Sequence, residues 1–348
     1  MIISASLFGV SVPLAKLIIV DISPVALAGL LYLGAFIGLS LYALIRKTTK
    51  VYQKIASLEK KDIPWLVGAI LTGGILGPIS LMTGLTLLSG FSASLLLNLE
   101  GLATVLIAVL VFKENTGKRL WIALTCMTIA GVLLTWDPTQ DKFTVTGPLL
   151  IIFAMICWGI DNNLTRNISD KNPIQITQIK SLVAGTTSLV VALSLGMKIP
   201  LDTTIVFALL LGSFSYGVSL VFFIKALKGL GASRTGTFFS FAPFIGALAS
   251  IIILHEWIGW TMLPAALFML LGIWLIGSEK HTHFHVHKAI THTHSHVHTD
   301  MHHLHEHSDE VHEPHTHEHT HDETTHGHEH YPDTHHRHEH EKQKKNDE

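Results

Sequence analysis

The chain has 348 residues, of which 48% are hydrophobic and only 14% charged, well short of the ~25% charged residues of an ordinary soluble domain. Its formal net charge of −2 gives no electrostatic footprint for nucleic acid, and no nucleophile–base motif, phosphate loop or hydrolase signature supports catalysis. Residues 1–277 hold long apolar runs and 278–348 almost none, so a membrane body precedes a polar tail.

A bilayer-spanning helix needs about 20 apolar residues. Such spans are predicted at about 2–20, 24–45, 63–87, 91–112, 118–136, 147–166, 173–195, 203–226, 230–254 and 258–277. The first has no basic n-region and is followed by further spans, so it reads as a helix rather than a signal peptide. Lys16 lies near its end with Asp21 close by, within snorkelling reach of the interface. Pro78 in span 3, beside Gly73, Gly74 and Gly77, predicts a kink with close helix approach. Asn98 and Glu100 sit near the centre of span 4, where a charge is costly and is a functional candidate by default. Such a carboxylate can bind a cation, exchange a proton, or tether a neighbouring helix.

Span 6 carries Trp158, Asp161, Asn162, Asn163 and Thr165. Asp161 and Thr165 share a face at i, i+4; the alternative is that this cluster is simply the interfacial end of the helix. Lys180, seven residues into span 7, would be neutralised by Glu100 or Asp161, or would hold a carboxylate on a solute. Ser215, Tyr216 and Ser219 give span 8 a polar face that reads mainly as packing glue. Pro243 interrupts span 9, and both Glu114 and the His255, Glu256 pair close spans by capping or bridging. Cys126 and Cys157 lie inside apolar runs and predict no structural disulfide.

Lys and Arg concentrate in alternate loops: Arg46, Lys47, Lys50, Lys54, Lys60 and Lys61, then Lys113, Lys118 and Arg119, then Arg166 and Lys171, then Lys228 and Arg234, then Lys280. The opposite side offers Lys142 and Lys198. The positive-inside rule predicts a multi-pass inner or plasma membrane protein with both termini cytoplasmic.

The halves 1–136 and 147–277 resemble each other. Phe8 and Gly9 align with Trp158 and Gly159, Pro24 with Pro173, and the run from Leu99 to Glu114 with that from Phe241 to Glu256. Five is an odd number of spans, so the second copy enters the membrane inverted, as in many secondary carriers. The fold class predicted is therefore an all-α membrane protein of ten helices in two inverted five-helix repeats.

The stretch from Phe8 to Lys16, then Ile22 to Pro24, Ser92 to Glu100 and Glu114, resembles an EamA-type repeat of the drug/metabolite transporter superfamily. The second copy shows Cys157 to Gly159, Ser240 to Pro243, and His255 with Glu256. Gly101 stands where the pattern has proline, and Phe8 where it has tryptophan. The resemblance covers about residues 1–277 and implies a ten-helix carrier of small organic solutes, often outward and commonly coupled to protons. It is specific for fold and weak for ligand.

The tail, 278–348, has low apolar content and reads as disordered. Its histidines alternate: His281, His283, His285 and His287; His292, His294, His296 and His298; then His315, His317, His319, His328 and His330 among others. Imidazole is a good ligand for zinc, nickel or cobalt, so accessory metal binding is expected there; an inert low-complexity tail and a pH-responsive polycation are the alternatives. No other cofactor is implied. The leading functional expectation is a secondary transporter, an exporter of a small metabolite or drug-like solute in the lipid bilayer. Candidate solute or coupling residues are Asn98, Glu100, Trp158, Asp161, Lys180 and Tyr216, with Gly77, Pro78 and Pro243 as kink positions. The alternative is a divalent-metal transporter or metal-regulated membrane protein.

Overall fold

The structure, a computed structural model, describes residues 1–48, 56–112, 118–135, 145–199, 202–256, 259–277, 281–287, 290–296, 315–321 and 324–330. Glu114 and His298 lie outside the described residues. The membrane body is helical. Among the described residues, five helices are long and apolar enough to cross a bilayer: Pro24–Ile45, Lys60–Leu87, Thr146–Arg166, Pro173–Ser194 and Thr203–Ala226. These are spans 2, 3, 6, 7 and 8.

Spans 1, 4 and 9 are made of shorter pieces. Span 1 is Ile2–Gly9 followed by Ser11–Ile18. Span 4 is Gly90–Leu96 followed by Leu99–Phe112. Span 9 breaks between Phe239 and the helix Ala242–Leu254, with Pro243 in that helix's first turn, where a missing N–H costs nothing. Spans 5 and 10 are Lys118–Thr135 and Met262–Gly277.

Spans 8 and 9 share one assigned helix, Ser219–Phe239. A straight helix would separate Phe223 from Phe239 by about 24 Å at ~1.5 Å per residue. Their rings meet at 4.9 Å, so the chain reverses between them, as the sequence predicts.

Two segments wind as π-helix, Ile70–Leu76 in span 3 and Ser213–Val218 in span 8. The first directly precedes Pro78, which removes a backbone donor and displaces the ladder. The offset of 142 residues that maps Leu99 onto Phe241 also maps 71–76 onto 213–218. The repeat is thus one of backbone irregularity as well as of residues.

Packing follows the same symmetry. Span 2 lies on span 7, span 4 on span 9 and span 5 on span 10. The contact of span 3 with span 6 is answered by that of span 8 with span 1, and the contact of span 4 with span 6 by that of span 9 with span 1. Advancing every span by five reproduces the arrangement, which is the relation expected of an inverted repeat. Glycines permit the closest approaches: a methyl on Gly212 would overlap the backbone at Leu31, and one on Gly34 the backbone at Leu209.

In the tail, short segments are described as paired strands. Strand His281–His287 pairs antiparallel with Thr324–His330, and Ile290–His296 with His315–His321. The alternation of His with Thr, Val or Phe has the two-residue period of a strand, and β-branched and aromatic residues favour it.

Candidate functional site

The irregular segments converge at the junction of the two repeats. In span 3, the Gly73 carbonyl lies in the π-helical turn and accepts two hydrogen bonds, from Tyr32 Oη at 2.7 Å and Trp158 Nε1 at 3.0 Å. Glycine is needed on this face. A methyl on Gly77 would stand 2.8 Å from Trp158 Nε1, and one on Gly73 would overlap the Asp161 carboxyl.

Asp161 and Lys180 form an ion pair between spans 6 and 7, with side chains 10% and 5% exposed. Thr165 Oγ1 donates to the other Asp161 oxygen at 2.9 Å, which bears out their shared face. Both groups are buried, and Lys180 takes Asp161 rather than Glu100 as its ion-pair partner.

Glu100 is half-buried and accepts a hydrogen bond from Asn162 Nδ2 at 2.7 Å; the same nitrogen lies 3.2 Å from Thr104 Oγ1. Among the described residues, no lysine or arginine forms an ion pair with Glu100. Glu100, Asn162, the Asp161–Lys180 pair, Trp158 and Tyr216 line one cavity of about 50 Å³. At ~10–15 Å³ for each water-sized centre, this holds a few heavy atoms.

The cavity's remaining wall is formed by the rings of Phe8, Tyr32, Phe223 and Phe239 together with Ser215, Ser219 and Leu220. Phe8 contacts Trp158 at 5.7 Å, Tyr216 at 5.8 Å and Phe239 at 5.3 Å, and Tyr32 meets Tyr216 at 5.4 Å. These separations are those of favourable aromatic pairs. Ser215 Oγ donates to the Leu7 carbonyl at 2.7 Å, and Ser219 and Ser4 bond reciprocally across spans 8 and 1. These bonds tie span 8 to span 1, and Ser215 and Ser219 also line the cavity.

Asn98 is not among the lining residues. It is 4% exposed, sits at the break in span 4, and neither atom of its amide has a hydrogen-bond partner among the described residues. Two-residue separation from Glu100 spans that break, so adjacency in sequence does not become a shared face. Tyr32, Asn162, Phe223 and Phe239 line the cavity although sequence analysis did not single them out as site residues. Only Asn162 carried a signal, as a polar side chain inside an apolar span.

Both ends of the repeat junction are tied. On the face carrying the lysine-rich loops, Lys171 Nζ meets Glu59 Oε1 at 3.0 Å, the Leu58 amide donates to Gln175 Oε1 at 3.1 Å, and the Asn172 amide to the Ala56 carbonyl at 2.9 Å. On the opposite face, Glu256 accepts from the amides of Gly90 at 2.6 Å and Phe91 at 2.8 Å. His255, left-handed at φ 51°, ends the preceding helix there. A carboxylate on the first free amides of a helix is the favourable arrangement at its positive end. Lys16 donates to the carbonyls of Leu85 and Leu88 at the end of span 3, rather than snorkelling beside Asp21.

Among the described residues, no group of three or more His, Cys, Asp and Glu converges as a metal site would require. The tail's described histidines are placed only by register, His281 opposite His330, His283 opposite His328, and His294 opposite His317.

Residues 1–136 and 145–278 each match the model of the EamA-like transporter family. A relative described as an uncharacterized transporter, from Methanothermobacter thermautotrophicus, is 28% identical over 296 residues, which is 79% of this chain and 84% of that protein. The uncharacterized transporter YyaM of Bacillus subtilis is 25% identical over 214 residues, 58% of this chain and 68% of that protein. A solved crystal structure superposes with a TM-score of 0.55 at 17% identity, covering 78% of this chain and 96% of that one; at that identity the likeness concerns the fold alone. With both halves matched, the chain belongs to the EamA-like transporter family, a multi-pass membrane protein with a transporter's architecture.

Proposed function

We propose that this protein is a secondary active exporter of a small organic solute, and that the solute binds in the cavity between the repeats. The observation that carries this reading is Glu100: a carboxylate at membrane depth, bonded to Asn162 and not ion-paired among the described residues, facing a small aromatic-walled cavity. Charges at that depth mark solute and ion pathways, and carriers of inverted repeats bind near midplane at broken helices. Glu100 is the group that takes up a proton when the solute leaves. The outward direction rests on the family resemblance, and the cytoplasmic placement of both termini on the lysine-rich loops.

The tail is an accessory metal-binding segment for zinc, nickel or cobalt. Supporting this are the density of imidazoles and the backbone register that sets His283 opposite His328 and His285 opposite His326.

The test is solute exchange in proteoliposomes of the full chain with a panel of amines, amino acids, sugars and nucleosides. A solute whose exchange is lost in Glu100→Gln, with thermal unfolding unchanged, supports the reading. Exchange that is intact in Glu100→Gln but abolished by zinc chelation would replace it with a metal-dependent function.

A further inference from the structure

Resting on that reading, we propose that the solute is an organic cation, an ammonium joined to an apolar or aromatic body, seated with its charge against Glu100 and its body against the rings of Phe8, Trp158, Tyr216 and Phe239. The charge inventory of the cavity leads there. Among the described residues, three ionisable side chains line it with formal charge: Glu100, Asp161 and Lys180. Asp161 and Lys180 cancel each other in a buried ion pair. Recruiting Lys180 for an anionic solute would strand Asp161 in an apolar surround, and an uncompensated buried charge is strongly unfavourable. One carboxylate then remains, and its protein contact is a neutral amide donor, Asn162. The cavity thus carries one negative charge that a monocation neutralises, and that a neutral solute, a zwitterion or an anion does not.

The walls favour the same ligand. The polar ends of Tyr32 and Trp158 are already committed to the Gly73 carbonyl, so what these side chains add to the cavity is ring surface. Aromatic faces attract an ammonium electrostatically, more strongly when both are out of water. The volume of about 50 Å³ suits a small charged head; the aromatic residues must part to admit the rest of the molecule.

The experiment uses four probes that share a phenyl ring: phenethylammonium, phenylalanine, phenethyl alcohol and phenylacetate. Each is titrated against the purified full chain while thermal unfolding is followed. Phenethylammonium at about ten times its Kd should raise Tm by roughly 3 °C, as mass action requires, and the other three by less than about 1 °C on the same scale. Glu100→Gln should abolish the shift. Phe8→Leu, which keeps the carboxylate and removes one ring, should weaken phenethylammonium about fivefold and remains informative if Glu100→Gln fails to fold. A larger shift from phenylacetate or phenylalanine than from phenethylammonium overturns the cation inference and leaves the carrier reading standing. No shift from any of the four also overturns it, and the carrier reading then stands or falls on the exchange assay alone.

Discussion

Lys180 on span 7 donates to Asp161 on span 6, inside the bundle and sealed from solvent, and that bond decides which carboxylate is free. Removing one partner of a buried pair leaves the other uncompensated, at a cost of about 3–5 kcal/mol. Lys180→Met should therefore lower unfolding stability by about that amount. The double variant Lys180→Met with Asp161→Asn should recover most of the loss, because no charge is stranded. A double variant as unstable as the single one would mean that Lys180 supports the fold by packing rather than by pairing.

Gly77 is the position where the backbone yields room to Trp158. A methyl there stands 2.8 Å from the indole nitrogen, so Gly77→Ala should push the ring out of its bond to the Gly73 carbonyl and reduce solute exchange more than tenfold, on the order of 1.4 kcal/mol. Tyr32→Phe should be milder, costing about 0.5–1.5 kcal/mol of stability, since Trp158 still satisfies Gly73. Exchange assays and thermal unfolding on the two variants separate these effects.

The two clasps predict opposite accessibility changes. Glu256→Ala removes an acceptor from the first amides of span 4 and should cost about 0.5–2 kcal/mol while admitting thiol reagents from that face to a cysteine placed at Phe239, in a Cys126→Ala, Cys157→Ala background. Glu59→Gln should admit them from the lysine-rich face. At Glu59, hydrogen bonds from Lys61 and Lys171 hold the carboxyl below the usual glutamate range. A depressed folded value means its stabilising contribution is present above the unfolded pKa, about 4.3, and fades as pH falls through the folded value. The difference between wild type and Glu59→Gln should vanish in acid and persist at neutral pH. A difference that grows on acidification would contradict that sign.

Asn98 holds an amide with both atoms unsatisfied in the interior. An unpaired buried polar group costs about 1–3 kcal/mol, and an apolar replacement of similar shape relieves it. Asn98→Leu should raise Tm and slow exchange, by favouring the conformation described over the one that opens. A fall in Tm would show that the amide is satisfied by an ordered water or ion.

The two-repeat helical fold was legible because apolar length, loop charge and paired motifs each survive in the linear sequence. So was the candidacy of Glu100, Asp161 and Lys180, since ionisable groups in apolar spans stand out. The choice of partner for Lys180 was not, because it depends on the rotation of span 6 about its axis. Tyr32 gave no signal: its role depends on a carbonyl in a π-helical turn, and propensity does not report such turns. That Asn98 and Glu100 stand on either side of a helix break was not legible, because propensity does not report such breaks. In the tail, the histidine period was visible, but its antiparallel register was not, because it joins positions distant in sequence, such as His281 with His330 and His296 with His315.

The proposed coupling of solute to proton runs through Glu100. Its most direct test is solute-driven proton movement in proteoliposomes carrying the full chain and an internal pH dye. An outward-facing solute gradient should shift internal pH in wild type, and Glu100→Gln, folded and inserted to the same extent, should give no shift. A Glu100→Gln protein that still moves protons with solute would contradict it.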